Sequence, residues 1–548
     1  MKNIEMIEDK EGFLKTRTKP NEETKGDEVL EKILSKFRPL GPYYLRFMPF
    51  LIFVCISNAF YCMNYVFAVV IVDYRCKYPE CGNSTSWTQS AINLTHDTCL
   101  KYQLTEDNGT CSVDSYNVSN VDKCQEWVYE EPQSFVADFR LGCQDWKRAL
   151  IGTVHSFGYM IGLLLLGPIS DKIGRKKLIV FTGVTGAIMG LARSVTVSYW
   201  AYVAFELVEA LLGDTYSPNY MLGVEMVAKE NRALFAPLMI GAMSVGGMMM
   251  ALVAWLIPYW RHFLRVIYAP ALIFILYAFF LDESVRWLLI KGRKKEAKDI
   301  LRKAAKISNV YVEESTLDKI ECKKADASVN LISLLKMTIT SKTLLLRFLA
   351  CACAWITATF NKYGLLINSV SLEGNKYMNY ALTSFADLPA SMLLVFILIK
   401  FKRKKPLIFS FLMTGSFCVI QSFVPKGYPM ISTSLFFAGK FMSALSSGTV
   451  YLYTTELFPT YTRNTMHALC SAIGRIGSIL APQTTLLIRY WSGFPSLIIG
   501  GLSLTTALIV MMLPDTAEDV LPDTIQQAEA LGSKRTSSKD RTASKSLL

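Results

Sequence analysis

The residues of this chain that could do chemistry sit where charge is expensive. Glu206, Glu209 and Asp214 lie in one apolar run, Lys362 and Asp387 in two others, Lys440 and Arg475 in two more, and His155 interrupts a further one. An ionisable group at the centre of a membrane helix costs roughly 2.5–3.5 kcal/mol on insertion scales, so such groups turn to a bundle interior or a watery cavity. Both signs are present, which suits organic ions with an alkyl or aromatic body. Arg475, in "CSAIGRIGSILAP", offers a planar fork of donors that fits a carboxylate. Glu206 and Glu209 share one helix face. They fit three roles: acids for a substrate, bridges to Lys or Arg of a neighbouring helix, or protonated groups. Asp214 stands in "GDTYSP", where Gly213 and Pro218 can break a helix. Lys440 fits a structural partner as well as a substrate contact, and His155 fits a core hydrogen bond.

Composition says what holds these residues. The 548-residue chain is 51% hydrophobic with a mean hydropathy of +0.29, more apolar than soluble globular chains. Its formal net charge of +13 would fit nucleic acid, but the chain breaks into apolar runs of about 20 residues, the length that spans a bilayer as helix. The lipid bilayer is therefore the expected partner and nucleic acid is excluded. The basic excess belongs in cytoplasmic loops beside anionic lipid. Twelve spans are expected, at about 49–72, 149–169, 178–197, 199–222, 233–256, 262–281, 347–370, 377–400, 407–424, 430–453, 465–488 and 494–513. A transmembrane β-barrel is excluded, because its strands would alternate over about ten residues. Residues 1–46 carry 10 Lys/Arg and 9 Asp/Glu and no apolar core. They read as a flexible tail with a helical stretch and no signal peptide.

One loop, 73–147, sets the sides. It holds sequons at Asn83, Asn93, Asn108 and Asn117, and the chain has no others. It also holds Cys76, Cys81, Cys99, Cys111, Cys124 and Cys143, an even set that fits disulfides in an oxidising compartment. All fifteen pairings of six cysteines stay open. The loop has 6 Lys/Arg against 12 Asp/Glu, whereas 282–346 has 14 against 9. With 73–147 outside, twelve spans put both termini and 282–346 in the cytoplasm, as the positive-inside rule prefers. A multi-pass protein of the plasma membrane is expected.

The stretch 282–346 separates two six-helix halves, 47–281 and 347–513, with a cytoplasmic tail from 514 to 548. The halves echo each other. "VEMVAKENR" carries Glu225 and Arg232 seven apart, and "TELFPTYTR" carries Glu456 and Arg463 at the same spacing, 231 residues later. "GPISDKIGRKKL" and "KFKRKKPL" match at an offset of 228. Paired six-helix halves are a secondary-transporter architecture, with the substrate site near the midplane.

"GPISDKIGRKK" resembles the signature between the second and third helices of the major facilitator superfamily. Asp171, Gly174, Arg175 and Lys176 fall on its motif positions. "ESVRWLLIKGRKKEA", with Glu283 and Arg286, and "YLYTTELFPTYTRN" are similar to segments of the organic cation, anion and zwitterion transporters, solute carrier family 22. A long Cys-rich glycosylated first loop is also typical of that family. The likeness runs from about residue 40 to 515, and the fourth-helix wording is closer to invertebrate members. Val285 stands where the family has Pro, and "KFKRKK" lacks the Asp and Gly of its counterpart. The fourth helix lacks the Arg common there in the superfamily.

The resemblance implies an all-α membrane fold of twelve helices and alternating access. Asp171, Gly174, Arg175, Lys176, Glu225, Arg232, Glu283, Arg286, Glu456 and Arg463 would latch one conformation. It also places Trp355, Lys362 and Tyr363 at the cavity, Tyr216 where cation carriers have Trp, and Asp387 facing substrate. Arg475 occupies the position that is Asp in cation carriers and Arg in anion and carnitine-type carriers. A zwitterion would then set its carboxylate toward Arg475 and its amine toward Asp387 or the fourth-helix acids; alternatively, Arg475 merely neutralises Asp387. Carriage of small organic cations or carnitine-like zwitterions is the first expectation, organic anion exchange the second, and a non-transporting receptor a remote third. No cofactor, metal cluster or Walker A loop is expected, and with only four His and no nucleophile constellation neither is an enzyme. A co- or counter-ion and the oligomeric state are left open.

Overall fold

The computed structural model describes residues 22–38, 41–77, 99–104, 116–318, 320, 341–401, 403–425, 427–458 and 463–515. Helical runs fall at all twelve expected places. In the first half they are Pro42–Met63 with Tyr65–Ala68, Asp145–Ile173, Arg175–Val195, a fourth split into Tyr199–Leu212 and Tyr216–Met226, Arg232–Leu256, and a sixth made of Trp260–Tyr268, a 3₁₀ stretch Ala269–Leu276 and Tyr277–Phe280. The second half gives Lys342–Asn368, Lys376–Phe385 with Asp387–Lys400, Lys404–Ser422, Pro429–Leu457, Arg463–Leu480 with Thr484–Leu487, and Phe494–Met511. They are called the first to twelfth helices below. Among the described residues, eight helices are long and apolar enough to cross a membrane. The fourth, ninth, tenth and eleventh fall short, because charged and hydroxyl residues dilute them or, in the fourth, because the helix is broken.

That break has a local cause. Pro218 has no N–H to donate, so a continuous helix would lose a bond there. Asp214 instead accepts from the backbone N–H groups of Tyr216 (3.1 Å) and Ser217 (3.4 Å), restarting the helix. Ahead of the break, the fourth helix packs tightly on the second. A Cβ placed on Gly162 would stand 2.5 Å from the Leu211 carbonyl oxygen, and one on Gly158 2.9 Å from that of Leu207. Small residues four apart thus let two membrane backbones meet.

Hydrogen bonds and ion pairs found between described residues of the two halves all lie at the end carrying the 73–147 loop. Gln483 donates to Thr153 (2.6 Å), Arg148 donates to Thr485 (3.4 Å), and Arg489 pairs with Asp145 (3.4 Å). Phe67 of the first helix stacks on Tyr377 of the eighth. In the loop itself, strand Tyr74–Cys76 pairs antiparallel with Trp127–Tyr129, and Leu100–Leu104 with Tyr116–Lys123. Disulfides join Cys76 to Cys124 and Cys99 to Cys143. Cys81, Cys111, Asn83, Asn93 and Asn108 lie outside the described residues, and Asn117 falls in the strand Tyr116–Lys123.

At the opposite end, the basic stretch after residue 281 forms helices Val285–Ile290, Lys294–Ser308 and Glu314–Asp318, with Trp287, Leu288, Leu301 and Leu317 buried. The N-terminal tail carries the expected helical stretch, and its described part differs from the expectation in one respect. Its helix, Glu22–Ser35, is packed down rather than free: Leu30, Ile33, Leu34 and Phe37 are all buried. These four recur at helical spacing, so one apolar face seats the helix on the bundle. The first helix begins at Pro42, ahead of the expected tail boundary at 46.

Candidate substrate cavity

The charges of the second half fall into two kinds. Lys440, in the tenth helix, is buried, and its Nζ lies 3.0 Å from Asp387 of the eighth. Asp387 is therefore engaged by Lys440 and not by Arg475. Arg475, half-buried in the eleventh helix, donates to the Tyr363 hydroxyl (3.3 Å) and lies over the Tyr159 ring (5.1 Å to centroid). No carboxylate is within ion-pairing distance of it among the described residues. Lys362 is exposed, with its Nζ 5.9 Å from the Tyr363 ring centre. Trp355 donates to Thr454 (2.9 Å) and packs edge-on against His467.

The fourth-helix acids also divide. Glu206 and Glu209 are buried with Arg193 of the third helix and His155 of the second. Arg193 ion-pairs with Glu206 and lies 3.6 Å from Glu209, and His155 Nδ1 is 2.8 Å from Glu206. Asp214 is as deeply buried; the backbone N–H groups of Tyr216 and Ser217 reach its Oδ1, and its Oδ2 accepts no hydrogen bond among the described residues. Cys62 of the first helix lies within electrostatic reach of Asp214 of the fourth, Arg475 of the eleventh and Lys362 of the seventh, so charges from both halves approach one another there. Tyr216 stacks on Tyr220 (5.9 Å), and Tyr451 of the tenth helix packs against Trp355 and His467.

Charged groups gathered between two six-helix halves fit a carrier, and comparison with known proteins decides the family. The sequence profile described as Major Facilitator Superfamily matches residues 148–482. A Drosophila melanogaster "Organic cation transporter protein" is 31% identical over 92% of this chain and 95% of its own length. The chain belongs to this superfamily, in its solute carrier 22 branch.

Two mammalian relatives agree: mouse "Solute carrier family 22 member 21" is 29% identical over 86% of this chain and 88% of its own, and human "Organic cation/carnitine transporter 2" 27% over 89% and 91%. Among solved structures, the inward open xylose transporter XylE from E. coli matches with a TM-score of 0.51 at 16% identity, covering 70% of this chain and 88% of that one. That likeness concerns the fold alone. The chain is thus a multi-pass membrane transporter, and its family is one of transporters rather than enzymes.

The signature residues of this facilitator are drawn together at the end bearing the 282–318 helices. Arg175 pairs with Asp171 (2.7 Å) and Glu225 (3.0 Å). Glu283 Oε1 accepts from the backbone N–H groups of Arg175 (3.0 Å) and Lys176 (3.1 Å), so a carboxylate caps the third helix where its dipole is positive. Gly174 holds φ at +107°, and a side chain there would strike Glu283. Arg286 donates to the Glu225 carbonyl oxygen (3.2 Å) and to Glu31 of the tail helix (2.5 Å). Glu31 also lies 4.0 Å from Arg232 and accepts from the Lys229 backbone. Burial and the neighbouring Arg286 push the Arg232 guanidinium below its ordinary value, and Glu31 opposes that crowding. In the second half Glu456 pairs with Arg403 (3.0 Å). Arg463 opens the eleventh helix, and its side chain lies outside the described residues.

Sequence reasoning missed Arg193, Tyr159, Cys62, Tyr451, His467 and Glu31. Arg193 carried a signal, a charge inside an expected span. The others look like ordinary lining or tail residues until the helices are assembled.

Proposed function

We propose that this facilitator moves small organic cations or zwitterions, with an amine and a carboxylate on an apolar body, across the plasma membrane by alternating access. The observation that carries the reading is the pattern of pairing. Among the described residues, Arg475 has no carboxylate and Asp214 no cation within ion-pairing distance, while Asp387, Glu206 and Glu209 are engaged within the protein. A zwitterion supplies both missing partners: its carboxylate to the Arg475 fork, its ammonium to Asp214 and the aromatic faces of Tyr216 and Tyr363. This moves the amine contact from Asp387 to Asp214. The relatives' names support it, since they speak of organic cations and of carnitine, which joins a quaternary ammonium to a carboxylate.

Segments 47–281 and 347–513 act as the rocking halves. Residues 73–147 face outward as a glycosylated loop, and 1–46, 282–346 and 514–548 are cytoplasmic. On that orientation the cross-half bonds describe an inward-facing state. The network of Asp171, Gly174, Arg175, Lys176, Glu225, Arg232, Glu283 and Arg286, with Glu456 and Arg463, acts as the latch between states.

Exposed Lys362, next in the chain to the Tyr363 that Arg475 bonds, favours a second reading, exchange of organic anions. Proteoliposome uptake of labelled tetraethylammonium, carnitine and p-aminohippurate, with and without a membrane potential, separates the two. The first reading expects the cation to be driven by potential, about 2.3 kcal/mol per charge per 100 mV, and carnitine to enter. Uptake of p-aminohippurate alone would overturn it in favour of the second.

A further inference from the structure

Beside the cavity, the first half holds a polar site that the substrate reading leaves unused. His155 Nδ1 stands 2.8 Å from Glu206 Oε1 and 3.8 Å from Glu209 Oε2. Arg193 ion-pairs with Glu206, lies 3.6 Å from Glu209, and donates to Asn64 (3.2 Å) and to the Tyr268 hydroxyl (2.5 Å). The ionisable side chains of this cluster are 0–6% exposed. Glu209 Oε2, fully buried, accepts no hydrogen bond.

Charge counting says what the site holds. Two carboxylates against one guanidinium leave one negative charge at a depth where an unbalanced charge is costly. The other polar groups facing it cannot supply the missing positive charge. On the fourth helix they are Tyr202 and, past the break, Asp214; on the second, Tyr159. The sixth contributes Tyr268, and the first Tyr61, Tyr65 and Cys62. Arg475, across the cavity, is engaged with Tyr363 and Tyr159. The three ligand-type atoms of His155, Glu206 and Glu209 lie within 4.8 Å of one another, but the Arg193 guanidinium occupies the carboxylates where a metal ion would sit. A proton closes the balance, shared along the line from His155 Nδ1 to Glu206 Oε1.

We propose that His155, Glu206, Glu209 and Arg193 form a proton site whose loading is coupled to transport. The coupling rests on the transport reading above; the site itself does not. Two connections tie it to the cavity. His155 and Tyr159 are one turn apart on the second helix, and Tyr159 lies beneath Arg475. Glu209 and Asp214 flank the break in the fourth helix. Substrate held by Arg475 and Asp214 therefore bears on both helices that carry the proton site. On loading, a proton from water on one side adds to the imidazole, giving an imidazolium between two carboxylates. When the halves rock, it leaves to water on the other side and the imidazole is neutral again.

The test uses the full chain in proteoliposomes, with potassium and valinomycin clamping the potential at zero. Labelled carnitine or tetraethylammonium is followed under a pH gradient of one unit. One coupled proton shifts steady-state accumulation by up to about tenfold per pH unit, in either direction according to symport or antiport. His155→Gln is expected to keep counterflow of the probe while losing the gradient response; Glu209→Gln serves if that variant does not fold. Probe uptake in the wild type that ignores the gradient overturns the coupling. A substrate-free readout separates this from failure of the transport reading. Infrared difference titration of the purified protein should show a protonation that His155→Gln lacks, and identical titrations of the two proteins overturn the proton site.

Discussion

Arg193 and Arg475 are both arginines inside a membrane bundle, one in each half, and the protein surrounds them differently. Arg193 is fully buried against Glu206 and Glu209, with Asn64 and Tyr268 taking further donors. Arg475 is half-buried, donates to a phenol and lies over an aromatic face, with no carboxylate in ion-pairing distance among the described residues. Insertion costs are similar for both. What differs is the source of the offset: for Arg193 the chain supplies it permanently, and for Arg475 a carboxylate from outside completes it. Two arginines of one formal charge are thus read as architecture and as recognition.

The largest expected effect breaks the first member of this comparison. Arg193→Ala leaves two buried carboxylates without their cation and should cost about 3–5 kcal/mol. The variant is expected to lose most of its folded yield in detergent, measured by size-exclusion profile and thermal midpoint. A stable, monodisperse Arg193→Ala protein would contradict the closed network. Next comes Asp387→Ala, which strands buried Lys440. Since the Asp387 side chain is 22% exposed, the loss should be smaller, about 2 kcal/mol, and Asp387→Ala with Lys440→Met should restore the thermal midpoint. Smallest is Glu31→Ala at the half-exposed latch, worth at most about 1 kcal/mol. Its signature is faster hydrogen exchange confined to the helix Glu22–Ser35 and its contacts, with little change in midpoint.

Much of this architecture was legible in the sequence, because membrane physics writes it in runs of about 20 apolar residues. Gly213 and Pro218 announced the broken fourth helix, and the spacing of Leu30, Ile33, Leu34 and Phe37 would have revealed the docked tail. The disulfide partners were not legible, since Cys76 meets Cys124 only once the loop strands pair. Nor was the difference between the acids. Glu206, Glu209 and Asp214 look alike along the chain, and only the approach of Arg193 from the third helix separates engaged carboxylates from the open one. Asp387 shows the same limit: its charge pointed to a substrate amine or to Arg475, and packing gave it to Lys440.

The central claim, that Arg475 awaits a carboxylate, is tested most directly by carnitine and tetraethylammonium uptake in proteoliposomes carrying equal amounts of wild type and Arg475→Ala. Loss of charge-assisted hydrogen bonds worth about 1.5–3 kcal/mol should lower carnitine uptake at least about tenfold and leave tetraethylammonium uptake within about twofold. Carnitine uptake by Arg475→Ala equal to that of the wild type would contradict the account.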